Sequence, residues 1–218
     1  MKITYYLEVL SSWCHAAEPA WAELKSRYGS RIEFRWKIAL MAPGDFPSSK
    51  EQCDWFYRRV GELARLPAAL NSGWYEPERK GVYLAYNLVA EAGKDLGIAD
   101  DRLRLALAKA GHGDGRKVAD MGEAVAAGAK ALGLDAAALR AKAESQEVLA
   151  RVQASTAEFN ALGVGQRPTF VVENTIGDKA ITSGLITAQP LIAAVEAMLA
   201  DEAGYVSYAA QHGRPPPV

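Results

Sequence analysis

Two serines, a tryptophan and a cysteine stand together at Ser11, Ser12, Trp13 and Cys14, inside the stretch EVLSSWCHAAEP that runs from Glu8 to Pro19. A strand-like run ends there and helical spacing begins, so Cys14 falls at a helix N-terminus. A thiol in that position meets the positive end of the helix dipole and free backbone N–H groups. Both favour the thiolate, which is the reactive form. The thiolate of a bound small molecule would be stabilised in the same place. The serine hydroxyls have pKa values far too high for redox work, but they can donate to sulfur or cap the helix. A second feature lies near the other end of the chain. Pro168 precedes an extended run and has no N–H to donate, which leaves an exposed backbone edge at Arg167. The Arg167 guanidinium suits a carboxylate.

These residues need elements to hold them. Lys2–Val9 is rich in Ile, Tyr and Val and reads as a strand buried on both faces. From Cys14 to Arg27, Ala17, Trp21 and Leu24 recur at helical spacing, with Pro19 inside and Gly29 at the end. Pro19 either kinks this helix or sits near its first turn. RIEFRWKI, Arg31–Ile38, alternates as a second strand, so the first 40 residues form a β-α-β unit with a parallel pair. From about Ser48 to Phe159 the chain is Ala-rich and helical in texture, with Asp135, and likewise Asp100 and Asp101, reading as helix N-caps. Strands return at Pro168–Glu173 and Lys179–Gly184 around the turn NTIGD, and a last helix spans Thr187–Ala200. The expected fold is α/β, β-α-β…β-β-α, interrupted by a large all-helical insertion. Residues 1–47 and 160–205 make one discontinuous domain, 48–159 the insertion, and 206–218 a loose tail.

The totals exclude several classes of function. The chain has 218 residues and a net charge of −1, so it lacks the basic excess that holds a phosphate backbone, and no nucleic acid is expected. No apolar run is long enough to cross a membrane, and MKITYYLEVL is not a signal peptide, which predicts a cytoplasmic protein. Two cysteines are no disulfide framework, and no Cys14–Cys53 bridge is expected. Three histidines and two cysteines are too scattered for a metal site, and no glycine loop for a nucleotide is present.

The element order with a cysteine at the first helix resembles the thioredoxin fold, in its DsbA-like branch, where a helical domain splits the two halves. SSWC takes the place of that family's Cys-Pro-Trp-Cys. GVGQRPTFVV, Gly163–Val172, resembles the loop whose proline is cis and faces the active site. SGLITAQPLIAAVEAML resembles the last strand-to-helix segment. The resemblance implies that the Arg167 backbone pairs with a substrate or a thiol cofactor. Ser11 stands where the family has its attacking cysteine, so this is not a complete dithiol oxidase. Kappa-class glutathione transferases and 2-hydroxychromene-2-carboxylate isomerases are similar in fold and carry serine there. In them that hydroxyl bonds the sulfur of glutathione, which implies the same role for Ser11. They typically have a second serine where this chain has Cys14. They also have a Ser-Asp pair for the γ-glutamyl end, where this chain has Ser183 followed by Gly184. Another small thiol is therefore an alternative to glutathione. Relatives often dimerise, which allows a homodimer.

Each residue also has a plainer reading. Cys14 can be a small buried hydrophobe, and Ser11 an ordinary N-cap. Trp13 is a wall for a substrate, and His15 either flanks the site or lies exposed on the helix. Cys53 is core or helix surface, Asn87 an exposed helical residue near the cleft, and His112 part of a turn. Trp55, Tyr57, Trp74 and Tyr75 either pack the helical block or form a lid above Ser11. Three functions follow. The first is an enzyme in which Ser11, with Cys14, holds a small thiol that acts on an organic substrate as isomerase, transferase or reductase, with Ser12, Trp13, His15, Arg167, Pro168, Ser183 and Gly184 as binding residues. The second is a thiol-disulfide oxidoreductase working through Cys14 alone. The third is a module that binds without turnover.

Overall fold

The computed structural model describes residues 1–213. Four strands, β1 (Lys2–Leu7), β2 (Glu33–Ile38), β3 (Thr169–Glu173) and β4 (Lys179–Ser183), form one sheet in the order β2-β1-β3-β4. β1 is central: it pairs parallel with β2 and antiparallel with β3, so Tyr5 sits between Trp36 and Phe170. A strand with neighbours on both sides and helices on both faces must be apolar throughout, and KITYYL is buried except at its first residue. β3 and β4 form the expected hairpin. The Asn174 side-chain oxygen accepts from the N–H groups of Ile176 and Asp178, and Gly177 takes the positive φ of 102° that the turn requires.

Alternation sorts the sheet's two faces. Ile3, Tyr5, Leu7, Phe170 and Val172 share a core with Trp21 and Leu24 of α1 (Ser12–Tyr28) and with Leu191 and Val195 of α8 (Ala188–His212). Tyr6 and Val171 point the other way, onto Phe159 of α7 (Gln146–Ala161). Between β2 and β3 lie α2 (Lys50–Ala64), α3 (Ala85–Ala92), α4 (Arg102–Ala108), α5 (Met121–Leu132), α6 (Ala136–Ala143) and α7, with no strand among the described residues. Every residue of α3 is buried, because α4, α5, α6 and α7 all pack on it. One apolar cluster runs from β1 through Trp74 and Tyr86 to Leu103 and Leu139, so the sheet and the helical segment share a core.

A buried ion network ties α1 to α4. Arg104, 3 % exposed, donates to both oxygens of Glu18 at 2.6 and 2.9 Å and to Asp101 at 2.7 Å. Asp101 also accepts from Lys25 at 2.6 Å and from the Trp21 indole. Asp101 therefore spends its carboxylate on tertiary partners rather than on capping α4, whereas Asp135 caps α6 as its sequence context suggests.

Three expectations need correction. Pro19 is inside α1 as expected, but of its two readings the placement near the first turn fails, because it lies well past that turn. The last helix extends to His212, so residues 206–212 of the expected loose tail are helical, while 214–218 lie outside the described residues. The GHGDG stretch is not a simple turn, because Lys109–Gly113 forms a π-helical turn continuous with α4 that buries His112.

Candidate active site at the first turn of helix α1

The end of β1 delivers the chain into α1 through Val9 and Leu10. The Ser11 N–H donates to the Glu8 carbonyl at 3.0 Å, and Ser11 then caps α1 by accepting from the Cys14 N–H at 3.3 Å. Capping uses a lone pair of Oγ and leaves its proton free to donate. The first-turn N–H groups of Ser12 and Trp13 have no partner within the helix. Ser11, Ser12 and Trp13 face a cavity of about 260 Å³. Its opposite wall is Gly165, Gln166 and Arg167. Phe56, Tyr57 and Arg59 of α2, with Trp74, close it from the helical segment. The bend after β2 adds Met41, Asp45, Phe46 and Pro47.

The sites expected from sequence thus come together in part. Ser11, Ser12, Trp13 and Arg167 share the cavity, and the Arg167–Pro168 peptide is cis. Of the four aromatics considered for a lid, Tyr57 and Trp74 line the cavity, joined by a bond from the Trp74 indole to the Tyr57 hydroxyl at 2.7 Å. Trp55 is largely exposed, and the Tyr75 hydroxyl is bonded to the Pro47 carbonyl. The Arg167 side chain does not reach out for a ligand. It donates to the Ala39 and Leu40 carbonyls at 2.5 and 2.6 Å, stacks over Phe159, and lies 3.9 Å from Asp45. Its backbone N–H and C=O carry no hydrogen bond among the described residues, so the open edge belongs to the main chain.

Ser183 and Gly184 stand behind the Pro168 loop rather than in the cavity. The Ser183 hydroxyl donates to the Gln166 carbonyl at 3.1 Å and accepts from Thr169, and the Gly184 N–H donates to the Pro168 carbonyl at 2.7 Å. They brace the loop that presents Arg167. His15 also turns away, because it lies one helical step beyond the cavity face. It meets His112 edge-on at 5.3 Å and lines a separate surface depression with Pro19, Trp21 and Leu105.

Cys14 does not have the electrostatics expected of a helix-terminal thiol. It is 2 % exposed, and burial pushes its pKa up to about 11, although the Glu8 backbone and the hydroxyls of Ser11 and Tyr5 pull the other way. Desolvation outweighs the dipole because the sulfur points into the core between β1 and α1, not out of the helix end. Cys53, also buried, is raised to about 11 for the same reason.

Two features beneath and beside the cavity escaped sequence reasoning. Glu8 is fully buried, and burial raises it to about 7 against the pull of the Asn87 amide, which donates to both its oxygens at 2.8 Å, and of Tyr86 and Arg167. Asn87 is correspondingly buried rather than exposed, and its carbonyl accepts from the Val9 N–H. A carboxylate between the apolar residues Leu7 and Val9, at the end of a buried strand, was the available signal. His112 bonds the Leu10 carbonyl at 3.0 Å through Nε2, and burial drives its pKa down to about 3, so it is a neutral brace under the site.

Among the described residues, no group of three His, Cys, Asp or Glu side chains is placed to hold a metal ion, and no helix is long and apolar enough to cross a membrane.

Comparison with known proteins agrees with this fold. No curated protein sequence matches the chain. Among solved structures, the cytosolic disulfide reductase DsbM from Pseudomonas aeruginosa is 23 % identical, with a TM-score of 0.65 over 91 % of this chain and 98 % of that one. The same protein has been solved with GSH (22 %, TM-score 0.64, 91 % and 99 %). A 2-hydroxychromene-2-carboxylate isomerase is 16 % identical with a TM-score of 0.58 over 99 % and 100 %. Pseudomonas aeruginosa DsbA is 13 % identical with a TM-score of 0.60 over 94 % and 85 %. At these identities the likeness speaks for the fold. The family model for the DSBA-like thioredoxin domain matches residues 2–191, which include the whole sheet and helical segment, and the chain belongs to that family.

Proposed function

We propose that this protein is a thiol-dependent enzyme that binds a small thiol, with glutathione the leading candidate, against the first turn of α1. It acts on an organic substrate as an isomerase, transferase or reductase. The observation that carries this reading is a division of labour in the SSWC motif. Ser11 lines the cavity with a hydroxyl that can donate, while Cys14, the motif's one thiol, is buried and held protonated. The reacting sulfur must then come from a ligand. The cavity's chemistry fits such a ligand: the hydroxyls of Ser11, Ser12 and Tyr57, first-turn N–H groups and the open Arg167 main chain surround it. A bound thiol would supply a nucleophilic sulfur that adds to a conjugated bond, attacks an electrophile or reduces a disulfide. The chain's contribution is to hold that sulfur ionised through Ser11 Oγ and the helix end. Arg167 aligns the rest of the ligand along an extended backbone edge, and the aromatic wall of Trp13, Phe56 and Trp74 excludes water. The similarity to a disulfide reductase solved with GSH and to an isomerase supports the same pairing of cofactor and reaction types. A reducing, cytoplasmic setting suits two unpaired thiols.

Ser11→Ala removes donor and cap together, so Ser11→Gly is the sharper test, since glycine keeps most of the capping stability. Both variants should lose about 10²-fold in thiol-dependent turnover. Reduced glutathione at 100 times its Kd should stabilise the wild type by about 2.7 kcal/mol. For a chain of this size that raises Tm by roughly 5–10 °C, and the shift should shrink in Ser11→Gly. Full turnover in Ser11→Gly removes the hydroxyl from the mechanism. Glutathione binding without turnover of any substrate class would favour a binding module.

A further inference from the structure

The cavity walls carry two cations, Arg59 and Arg167, and one carboxylate, Asp45. Arg167 is committed to the Ala39 and Leu40 carbonyls and stands beside Asp45. Arg59 has no commitment: among the described residues it forms no ion pair, and its Nε is buried with no acceptor. A buried guanidinium N–H without a partner is costly, and native structures rarely leave one so. Its neighbours also hold it in place. The guanidinium carbon lies 5.9 Å from the ring centre of Trp13, 5.0 Å from Trp55 and 4.9 Å from Phe56. Aromatic stacking engages the faces of the guanidinium and leaves its N–H edges available. Trp13 belongs to the first turn of α1, next to Ser12, so this free cation stands beside the sulfur site proposed above.

We infer that Arg59 is a carboxylate anchor, and that the cavity selects a ligand carrying a carboxylate on a thiol-bearing or apolar body. A planar fork of N–H donors matches a carboxylate bidentately. Asp45 in the opposite wall and the commitment of Arg167 leave no second cation for a phosphate dianion. The walls between, Trp13, Phe56, Tyr57 and Trp74, suit an apolar body. The carboxylate belongs either to the thiol cofactor or to the organic substrate. This inference deepens the thiol-enzyme reading, and in its cofactor form it rests on that reading.

Calorimetry with four probes separates the cases: reduced glutathione, its diethyl ester, 3-phenylpropionate and 3-phenylpropanamide. The wild type should bind glutathione or 3-phenylpropionate more tightly than the matching probe without a carboxylate. Arg59→Gln should weaken the carboxylate probe about 10- to 100-fold, the loss of one charged hydrogen-bonded pair, and leave the probe without a carboxylate unchanged. Arg59→Lys should retain part of the affinity, and matching thermal melts exclude misfolding. Glutathione that binds through Ser11 but is indifferent to Arg59→Gln keeps the thiol reading and, if 3-phenylpropionate is equally indifferent, overturns the anchor. Arg59-dependent binding of 3-phenylpropionate without any glutathione binding overturns the thiol reading and makes the substrate the source of the carboxylate. No binding of either carboxylate to the wild type overturns the anchor.

Discussion

Glu8→Gln is the most informative single change to the floor of this site. Glu8 has no exposed surface and is raised from an ordinary 4.5 to about 7 by burial. In the unfolded chain it gives up its proton near 4.5, while in the folded chain it holds the proton to about 7. Stability that this group contributes is therefore fully present below pH 4.5 and is lost as pH rises to about 7. That interval spans about 2.5 pH units, and at about 1.4 kcal/mol per unit it amounts to about 3 kcal/mol. Glutamine removes the ionisation but offers one acceptor where Asn87 Nδ2 now donates to two oxygens, which costs about 1 kcal/mol. The variant should therefore be about 1 kcal/mol less stable than wild type at acidic pH and about 2 kcal/mol more stable above pH 8. The two stabilities cross in between. Urea unfolding of both proteins from pH 5 to 8.5 measures this. The wild-type curve alone is not diagnostic, because His112, held down to about 3 from 6.5, destabilises the fold in the opposite sense as pH falls through that range. Subtracting the two proteins cancels His112 and leaves Glu8. A flat difference would mean that Asn87 and Arg167 fully compensate burial. A difference in which wild type gains on the variant with rising pH would reverse the argument.

Other expectations follow from the same structure. Cys14 and Cys53, both buried and both raised to about 11, should resist a thiol reagent at pH 7.5 in the folded protein and react promptly in denaturant. Rapid native labelling of Cys14, or its mixed disulfide with oxidised glutathione, would restore single-cysteine redox chemistry as the leading function. Arg104→Met strands Glu18 and leaves Asp101 with Lys25 alone. It should cost about 3 kcal/mol, or roughly 6–12 °C in Tm. Adding Glu18→Gln should recover part of that loss, and additive losses would show that the two side chains act independently.

What the sequence disclosed, and what it hid, divides along physical lines. β1, β2 and the β3–β4 hairpin were legible because a central strand must be apolar, an outer one alternates, and the turn needs Asn174 and Gly177. The extent of α8 was not, because Tyr205, Val206 and Tyr208 are exposed. That last part of the helix packs on little, so no apolar stripe announces it. His112 was misread for a different reason. Glycines normally punctuate turns, but a Cβ on Gly111 would stand 2.7 Å from the Leu10 side chain. That glycine lets the π-helical turn press against the start of α1 and bring His112 under the Leu10 carbonyl.

The same distinction accounts for the site. Ser11, Trp13 and Arg167 were legible because their roles are local: one caps a helix, one follows it, one precedes Pro168. The position of Cys14 was legible too, but its chemistry was not. Whether a helix-terminal thiol ionises depends on which way the sulfur points, and here Tyr5 and the core behind it determine that. Glu8 and Arg59 were hidden because a distant part of the chain completes each environment: Asn87 and Tyr86 around Glu8, and Trp13 added to the neighbouring Trp55 and Phe56 around Arg59. A cysteine at the first position of the motif would have put the reacting sulfur on the protein. With serine there, the function proposed above takes the reactive sulfur from a bound ligand. On that proposal, specificity falls to the residues that would hold the rest of the ligand, and the cavity walls that could do so lie on α2 and beside Pro168, far in sequence from the motif.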